Sequence, residues 1–161
     1  MQKTSVALEP TACNCLALRQ AARHVSQIYD AHLALVGLRT TQYSILAKLK
    51  RLGPLSINEL ANSMVMDRTT LGRAIRPLER DKLLAIGAGD DGRTRSLRLT
   101  ATGAARLKVA TQKWREAQQE FETAFGAHDA AELRTVLRRA ISATSESAVN
   151  NQMKIITKEK S

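Results

Sequence analysis

Apolar residues recur every three or four positions along most of this chain, and a helix is the regular structure that gathers such residues on one face. Over 11–36 the run is Cys15, Leu18, Ala22, Val25, Tyr29, Leu33 and Val36, and Gly37 ends it. A second helix is expected from a cap at Thr40 or Thr41 to residue 50, with Ile45, Leu46 and Leu49 inward. Gly53-Pro54 is a break. Ser56 and Glu59 then have the spacing of a capping box, which starts a short helix over about 57–63. Residues 64–66 connect it tightly to a helix that Asp67 caps and that reaches about residue 80, with Leu71, Ile75 and Leu78 inward. Pro77 sits inside that helix and is expected to kink it or loosen its hydrogen bonding.

The period changes over 83–99. Residues 83–88 and 94–99 read as short strands, and Gly89-Asp90-Asp91-Gly92 between them has hairpin-turn chemistry. Thr100 then caps a long helix to about residue 125, with the stripe Leu107, Ala110, Trp114, Ala117, Phe121, Phe125. The aromatic members of that stripe have core spacing. Gly126 breaks it, and a last helix from near Asp129 carries Leu133, Leu137 and Ile141.

The expected fold is therefore mainly α with a small β-hairpin wing: a winged helix-turn-helix with long N- and C-terminal dimerisation helices. Residues 1–10 form a flexible arm, 38–103 the DNA-binding region, 11–37 and 104–149 a helical dimerisation region, and 150–161 a basic polar tail. The outer helices are too long and too apolar on one face to serve only the small central core, so they need a second surface, most simply a twin chain. Hydrophobic residues make up 43% of the sequence but aromatics only 3%, a balance that suits helices rather than a β-sandwich.

The net charge of +10 points to a polyanionic partner. Residues 39–108 hold 14 Lys and Arg against 6 Asp and Glu, so they carry most of the excess. No run of 18 or more apolar residues is present and the chain opens without a signal-peptide core, so neither a membrane span nor export is expected and the default location is cytoplasmic.

A helix-turn-helix inserts its second helix into the major groove. Here that helix opens Asp67-Arg68-Thr69-Thr70-Leu71-Gly72-Arg73-Ala74-Ile75-Arg76. With the leucines and Ile75 inward, Arg68, Thr69, Arg73 and Arg76 face outward, and Thr70 joins them as a candidate contact. Arginine binds guanine through two hydrogen bonds, and threonine donates to base or phosphate. At the hairpin tip Arg93 and Arg95 suit a narrow minor groove, while Asp91 is repelled by phosphate and is better used to orient a neighbouring arginine. Ser56, at a helix N-terminus, suits a phosphate contact. An ordinary solvated face is the plain alternative for any one of these arginines. An RNA-binding or nucleoid-type basic protein would account for the charge but not for the wing.

The stretch 15–103 resembles the MarR family of bacterial regulators. Leu60-Ala61, the run Asp67 to Arg73, Leu78-Glu79-Arg80-Asp81-Lys82-Leu83-Leu84, and the wing pattern Asp91-x-Arg93 followed by Leu97-x-Leu99-Thr100-x-x-Gly103 carry the resemblance. It implies a homodimer joined through its terminal helices, binding to pseudo-palindromic double-stranded DNA, repression, and release by a small effector, often an aromatic acid or phenol. Cys15-Leu16-Ala17-Leu18, Ala21-Ala22-Arg23, Tyr29 and Gln42-Tyr43 look like the subgroup that senses organic hydroperoxides through an N-terminal cysteine flanked by tyrosines. Cys15 and Tyr29 match, whereas Arg19 and Thr40 stand where that subgroup has tyrosines.

Arg19, one turn after Cys15, would stabilise a thiolate, which peroxide oxidises to sulfenic acid. A small buried hydrophobe is the other reading of Cys15. Cys13 and Cys15 are two apart and would point away from each other on a helix, which argues against a disulfide. His24 and His32 either line an effector cavity or are ordinary polar groups; His32 is kept with Cys15, Arg19 and Tyr29 as the effector or redox candidates. No catalytic constellation, metal-ligand spacing or cofactor motif is present in the sequence, so a regulator is expected rather than an enzyme. A small thiol peroxidase built on Cys15 is the enzymatic alternative.

Overall fold

The computed structural model describes residues 13–89 and 94–158, with side chains through 144. Its elements are α1 (Asn14–Ala34), α2 (Thr40–Leu52), β1 (Leu55–Ser56), α3 (Ile57–Met64), α4 (Arg68–Arg80), β2 (Leu84–Ala88), β3 (Arg95–Leu99), α5 (Ala101–Phe125) and α6 (Ala127–Lys158). The fold is the expected winged helix, mostly helical with a small antiparallel sheet. The arm at 1–10 and the hairpin tip with Asp91 and Arg93 lie outside the described residues.

Two compact units divide the chain, one ending at Gln118 and the other beginning at Gln119. In the first, Leu46, Leu60, Leu71, Leu78, Leu84 and Leu97 are fully buried and tie α2, α3, α4 and the sheet into one core. Trp114 of α5 stacks on Tyr43 of α2, with ring centroids 5.9 Å apart and planes 13° from parallel, which matches its core spacing. In the second, Phe121 stacks on Phe125 and Arg134 pairs with Glu122 at 3.1 Å. Phe125 remains 46% exposed, so it is not a core residue of the chain. Helix α6 starts two residues earlier than expected and runs on to Lys158, into the segment read as a tail.

The sheet has the order β1-β3-β2. The hairpin pairs Leu84 with Leu99, Ile86 with Leu97 and Ala88 with Arg95, and Gly89 N–H donates to the Thr94 carbonyl at 2.7 Å. The third strand is a two-residue piece, Leu55 opposite Leu97 and Ser56 opposite Ser96. It anchors the wing directly to the start of α3.

The cap of α2 departs from expectation. Arg39 takes the N-cap position, with extended backbone, and Thr40 is the first helical residue. Arginine has no acceptor to offer a helix N-terminus. Asp30, on α1, supplies one instead: its Oδ1 accepts from Thr40 N–H at 2.6 Å and from the Thr40 hydroxyl at 2.7 Å. Just past the C-terminus of α1, Arg106 of α5 donates to the Val36 carbonyl at 2.8 Å.

Helix α4 is continuous through Pro77, and Asp81 N–H reaches the Pro77 carbonyl at 2.9 Å. Pro77 opens the last turn, between the buried Ile75 and Leu78, and as expected it leaves the turn without the hydrogen bond to Arg73 that proline cannot make. After α4, Lys82 turns left-handed with φ 57°, and Leu83 N–H bonds back to Leu78.

The N-terminal half of α1 buries nothing in the chain. Every residue from Cys13 to His24 is exposed, including Leu16 at 44% and Leu18 at 49%, and Leu33 is the buried residue of the helix. No helix among the described residues is long and apolar enough to cross a membrane.

Candidate nucleic-acid interface

The helix-turn-helix is set by two local caps. Ser56 Oγ accepts from Glu59 N–H at 3.2 Å while Ser56 N–H donates to the Glu59 carboxylate at 2.7 Å, the reciprocal box that starts α3. Asp67 accepts from Thr70 N–H at 2.8 Å and from the Thr70 hydroxyl at 2.5 Å, which starts α4. The Ser56 backbone N–H holds the Glu59 carboxyl below the usual carboxylate range, and the Thr70 hydroxyl does the same for Asp67. Between the two helices Val65 is left-handed, with φ 52° and ψ 47°, and is 68% exposed.

With Leu71, Ile75 and Leu78 buried, the opposite face of α4 presents Arg68, Thr69, Arg73 and Arg76, all exposed. None of those three arginines has a hydrogen bond or ion pair among the described residues. Their charge is therefore not spent inside the fold. Thr70 is also exposed, but its hydroxyl proton goes to Asp67, so only its oxygen lone pairs remain for an outside group. Gly72 has nothing within 4 Å of a built Cβ, so that point of the face is open.

A cleft of about 400 Å³ lies where α3, the start of α4 and the wing meet, lined by Ser56, Ile57, Asn58, Arg68, Ile86, Thr94, Arg95 and Leu97. It brings together Ser56, Arg68 and Arg95, three of the residues singled out in the sequence. It also adds Asn58, which sequence reasoning missed; an amide in the first turn of a helix, two residues after a serine cap, was the available signal. On the wing itself Arg98 donates to the Ala88 carbonyl at 3.0 Å, bracing the end of β2.

A second cleft, of about 490 Å³, opens between the end of α1, the start of α2 and the flank of α4. Arg39, Arg73, Thr70, Asp30, Gln42 and Pro77 are among its walls. Asp30 already accepts from the α2 N-terminus and lies 3.7 Å from Arg39, so Arg73 is the uncompensated charge among these walls.

The effector and redox candidates are not gathered in one place within the chain. Cys15 and Arg19 are exposed near the start of α1. Cys13 is the N-cap of α1, its Sγ accepting from Leu16 N–H at 3.4 Å, and both cysteines are free thiols. Tyr29 lies fourteen residues on from Cys15, roughly 21 Å along the helix axis. Its hydroxyl donates to Gln118 of α5 at 2.5 Å. One turn further, His32 lies 3.7 Å from Glu116, which accepts from Lys113 at 2.8 Å. The Lys113 ammonium holds the Glu116 carboxyl below its ordinary range. The first two turns of α6 place ligand atoms of His128, Asp129 and Glu132 within 4.8 Å, but all three are exposed and sit at the positive end of a helix.

The MarR family model matches residues 38–85, which span α2, β1, α3, α4 and the start of β2. No curated protein matches the chain. Among solved structures, the Mycobacterium tuberculosis transcriptional regulator MosR in complex with DNA is 35% identical, covering 80% of this chain and 98% of that chain, with a TM-score of 0.66. A probable transcriptional regulator from Pseudomonas aeruginosa is 25% identical over 81% of this chain and 98% of that one, with a TM-score of 0.72. MarR of E. coli, at 18% identity and a TM-score of 0.65, covers 80% of this chain and 96% of its own and shares the fold. With the family model lying across the helix-turn-helix and a regulator this similar along its whole length, the chain belongs to the MarR family of transcriptional regulators.

Proposed function

We propose that the protein is a cytoplasmic homodimeric repressor that binds a pseudo-palindromic operator and is released from it by a small aromatic acid, and that it is not an enzyme. The observation that carries this reading is the row of unspent guanidinium groups on α4, Arg68, Arg73 and Arg76, next to the cleft that Ser56, Arg68 and Arg95 share. In this reading α4 enters the major groove with Arg68, Thr69, Thr70, Arg73 and Arg76. Ser56 takes a phosphate, and Arg93 and Arg95 follow the minor groove from the wing, with Asp91 orienting them. That MosR was solved with DNA supports the same use of the fold here.

The exposed apolar stripe of α1, with Leu18 at 49%, supports pairing of two copies through 11–37 and 104–149, with 38–103 as the DNA-binding region. Release follows if a ligand favours a spacing of the two α4 helices other than the one-turn separation, ~34–36 Å, that two successive half-sites require. The cleft walled by Arg39, Asp30 and Arg73 has the size for an aromatic carboxylate, with Arg73 as the cation left to receive it.

A thiol route is the second reading, favoured by the exposure of Cys15 at the end of α1 that a partner would cover. Oxidation there would disturb the same interface. Fluorescence anisotropy on a duplex chosen from a random pool, with salicylate and with cumene hydroperoxide added in separate titrations, tests both. Release by salicylate in a Cys15→Ser variant supports the acid, release by peroxide lost in that variant supports the thiol, and absence of any duplex binding ends the proposal.

A further inference from the structure

We infer that Asp30 is the positioning residue that couples the α1 helix to the DNA-reading helices, an inference that rests on the proposed function and adds to it the point at which coupling is made. Helix α2 begins with an N-cap residue, Arg39, that offers no acceptor, so its first amides would be left to water. The Asp30 carboxylate crosses from α1 and takes both donors of Thr40, its N–H at 2.6 Å and its hydroxyl at 2.7 Å, with one oxygen. The other oxygen lies 3.7 Å from the Arg39 guanidinium. Gln42 closes the turn by accepting Arg39 N–H at 2.9 Å.

The position of this carboxylate gives it reach beyond one helix end. Asp30 is partly buried, three residues before Leu33, the buried residue of α1. Helix α2 carries Tyr43, Ile45, Leu46 and Leu49 into the core that also holds Leu71, Ile75 and Leu78 of α4. Asp30 and Thr40 also line the cleft to which Thr70, Arg73 and Pro77 of α4 contribute. A displacement of α1 is thus passed to α2 through a charge-assisted cap, and from α2 to α4 through packed side chains. Without the carboxylate, α1 and α2 remain tethered by the 35–39 loop but lose their fixed register. The population with α4 correctly placed then falls.

The test uses the full chain with Asp30→Leu, which keeps the branched outline but is larger and cannot accept, and Asp30→Asn, which keeps both the size and an acceptor oxygen. Two readouts are taken well below the thermal midpoint: amide exchange at Thr40, and affinity for a duplex selected by the parent protein. The expected result for Asp30→Leu is Thr40 exchange faster by at least about fivefold and operator binding weaker by roughly fivefold or more, with Asp30→Asn restoring most of both. A cap with a merely structural role would lower the thermal midpoint and leave operator affinity alone; that outcome, or unchanged Thr40 exchange, overturns the inference. If Asp30→Leu does not fold, Thr40→Val removes the hydroxyl bond alone, and unchanged operator affinity in it overturns the coupling equally. A parent protein that selects no duplex refutes the repressor reading, while Thr40 exchange still decides whether Asp30 holds α2.

Discussion

A Cβ atom on Gly103 would lie 1.8 Å from the carbonyl oxygen of Leu83. The first turn of α5 rests directly on the backbone that leaves α4, and Thr100 fastens it there. The Thr100 hydroxyl donates to the Lys82 carbonyl at 2.7 Å and accepts from Gly103 N–H at 2.9 Å. The Leu-Thr-x-x-Gly pattern thus has a physical cause: only a residue without a side chain lets helix and carbonyl meet. Gly103→Ala is expected to destabilise the protein by about 3 kcal/mol, read from urea unfolding. A loss below about 0.5 kcal/mol would show that α5 can step back at no cost.

Val65 gives the opposite sign. A β-branched residue at φ 52° is strained, and at 68% exposure its side chain gains little from packing. Val65→Gly should raise stability by about 1 kcal/mol in the same assay, with the fold unchanged. A lower midpoint would mean that the valine contributes contacts that outweigh the strain.

The two caps of the helix-turn-helix predict an acid limit. Asp67 and Glu59 both have carboxyls lowered by hydrogen bonds they accept, from Thr70 and from Ser56. A group lowered in the folded state contributes stability that is complete above its unfolded value and disappears as pH falls through the lowered one. Asp67→Ala should therefore be less stable than the parent near neutrality, with the gap narrowing in acid below the ordinary aspartate range. Thermal melts across pH would check this; a gap that stays constant into strong acid contradicts the assignment.

Pairing through α1 is tested by charge. Leu18 stands 49% exposed on a helix half that buries nothing in the chain. Leu18→Glu should shift sedimentation equilibrium toward the monomer and weaken operator binding with it, since two half-sites are then held independently. A dimer of undiminished strength would move the interface elsewhere.

What the sequence made legible is what local chemistry decides. The Ser56–Glu59 box, the Asp67 cap, the buried positions of α4 and the hairpin follow from spacings of two to four residues, and they were found where expected. Three features escaped because their partners are remote or their signal is short. The acceptor that starts α2 comes from Asp30, ten residues earlier on another helix, whereas local spacing offers only Thr40 or Thr41 as the cap. Strand β1 is two residues long and is specified by Leu97 across the sheet rather than by any pattern of its own. Of the two effects expected of Pro77, the loss of a hydrogen bond holds, since proline has no N–H to give Arg73, yet α4 runs on to Arg80 with Ile75 and Leu78 buried on either side. The site was legible as a list of residues but not as a shape: that Ser56, Arg68 and Arg95 share one cleft, joined by Asn58, depends on how the wing returns over α3.

The most direct measurement is enrichment of duplexes from a random pool by the full-length protein, followed by binding of the enriched site at several salt concentrations with parent and with an Arg68→Ala/Arg73→Ala/Arg76→Ala variant. The account predicts an inverted repeat with half-sites about one helical turn apart, and a triple variant whose salt dependence is flatter by up to about three phosphate contacts and whose affinity falls toward that for random DNA. A pool without a repeated half-site, or a triple variant that binds the enriched duplex as the parent does, would contradict the claim that α4 is the reading helix.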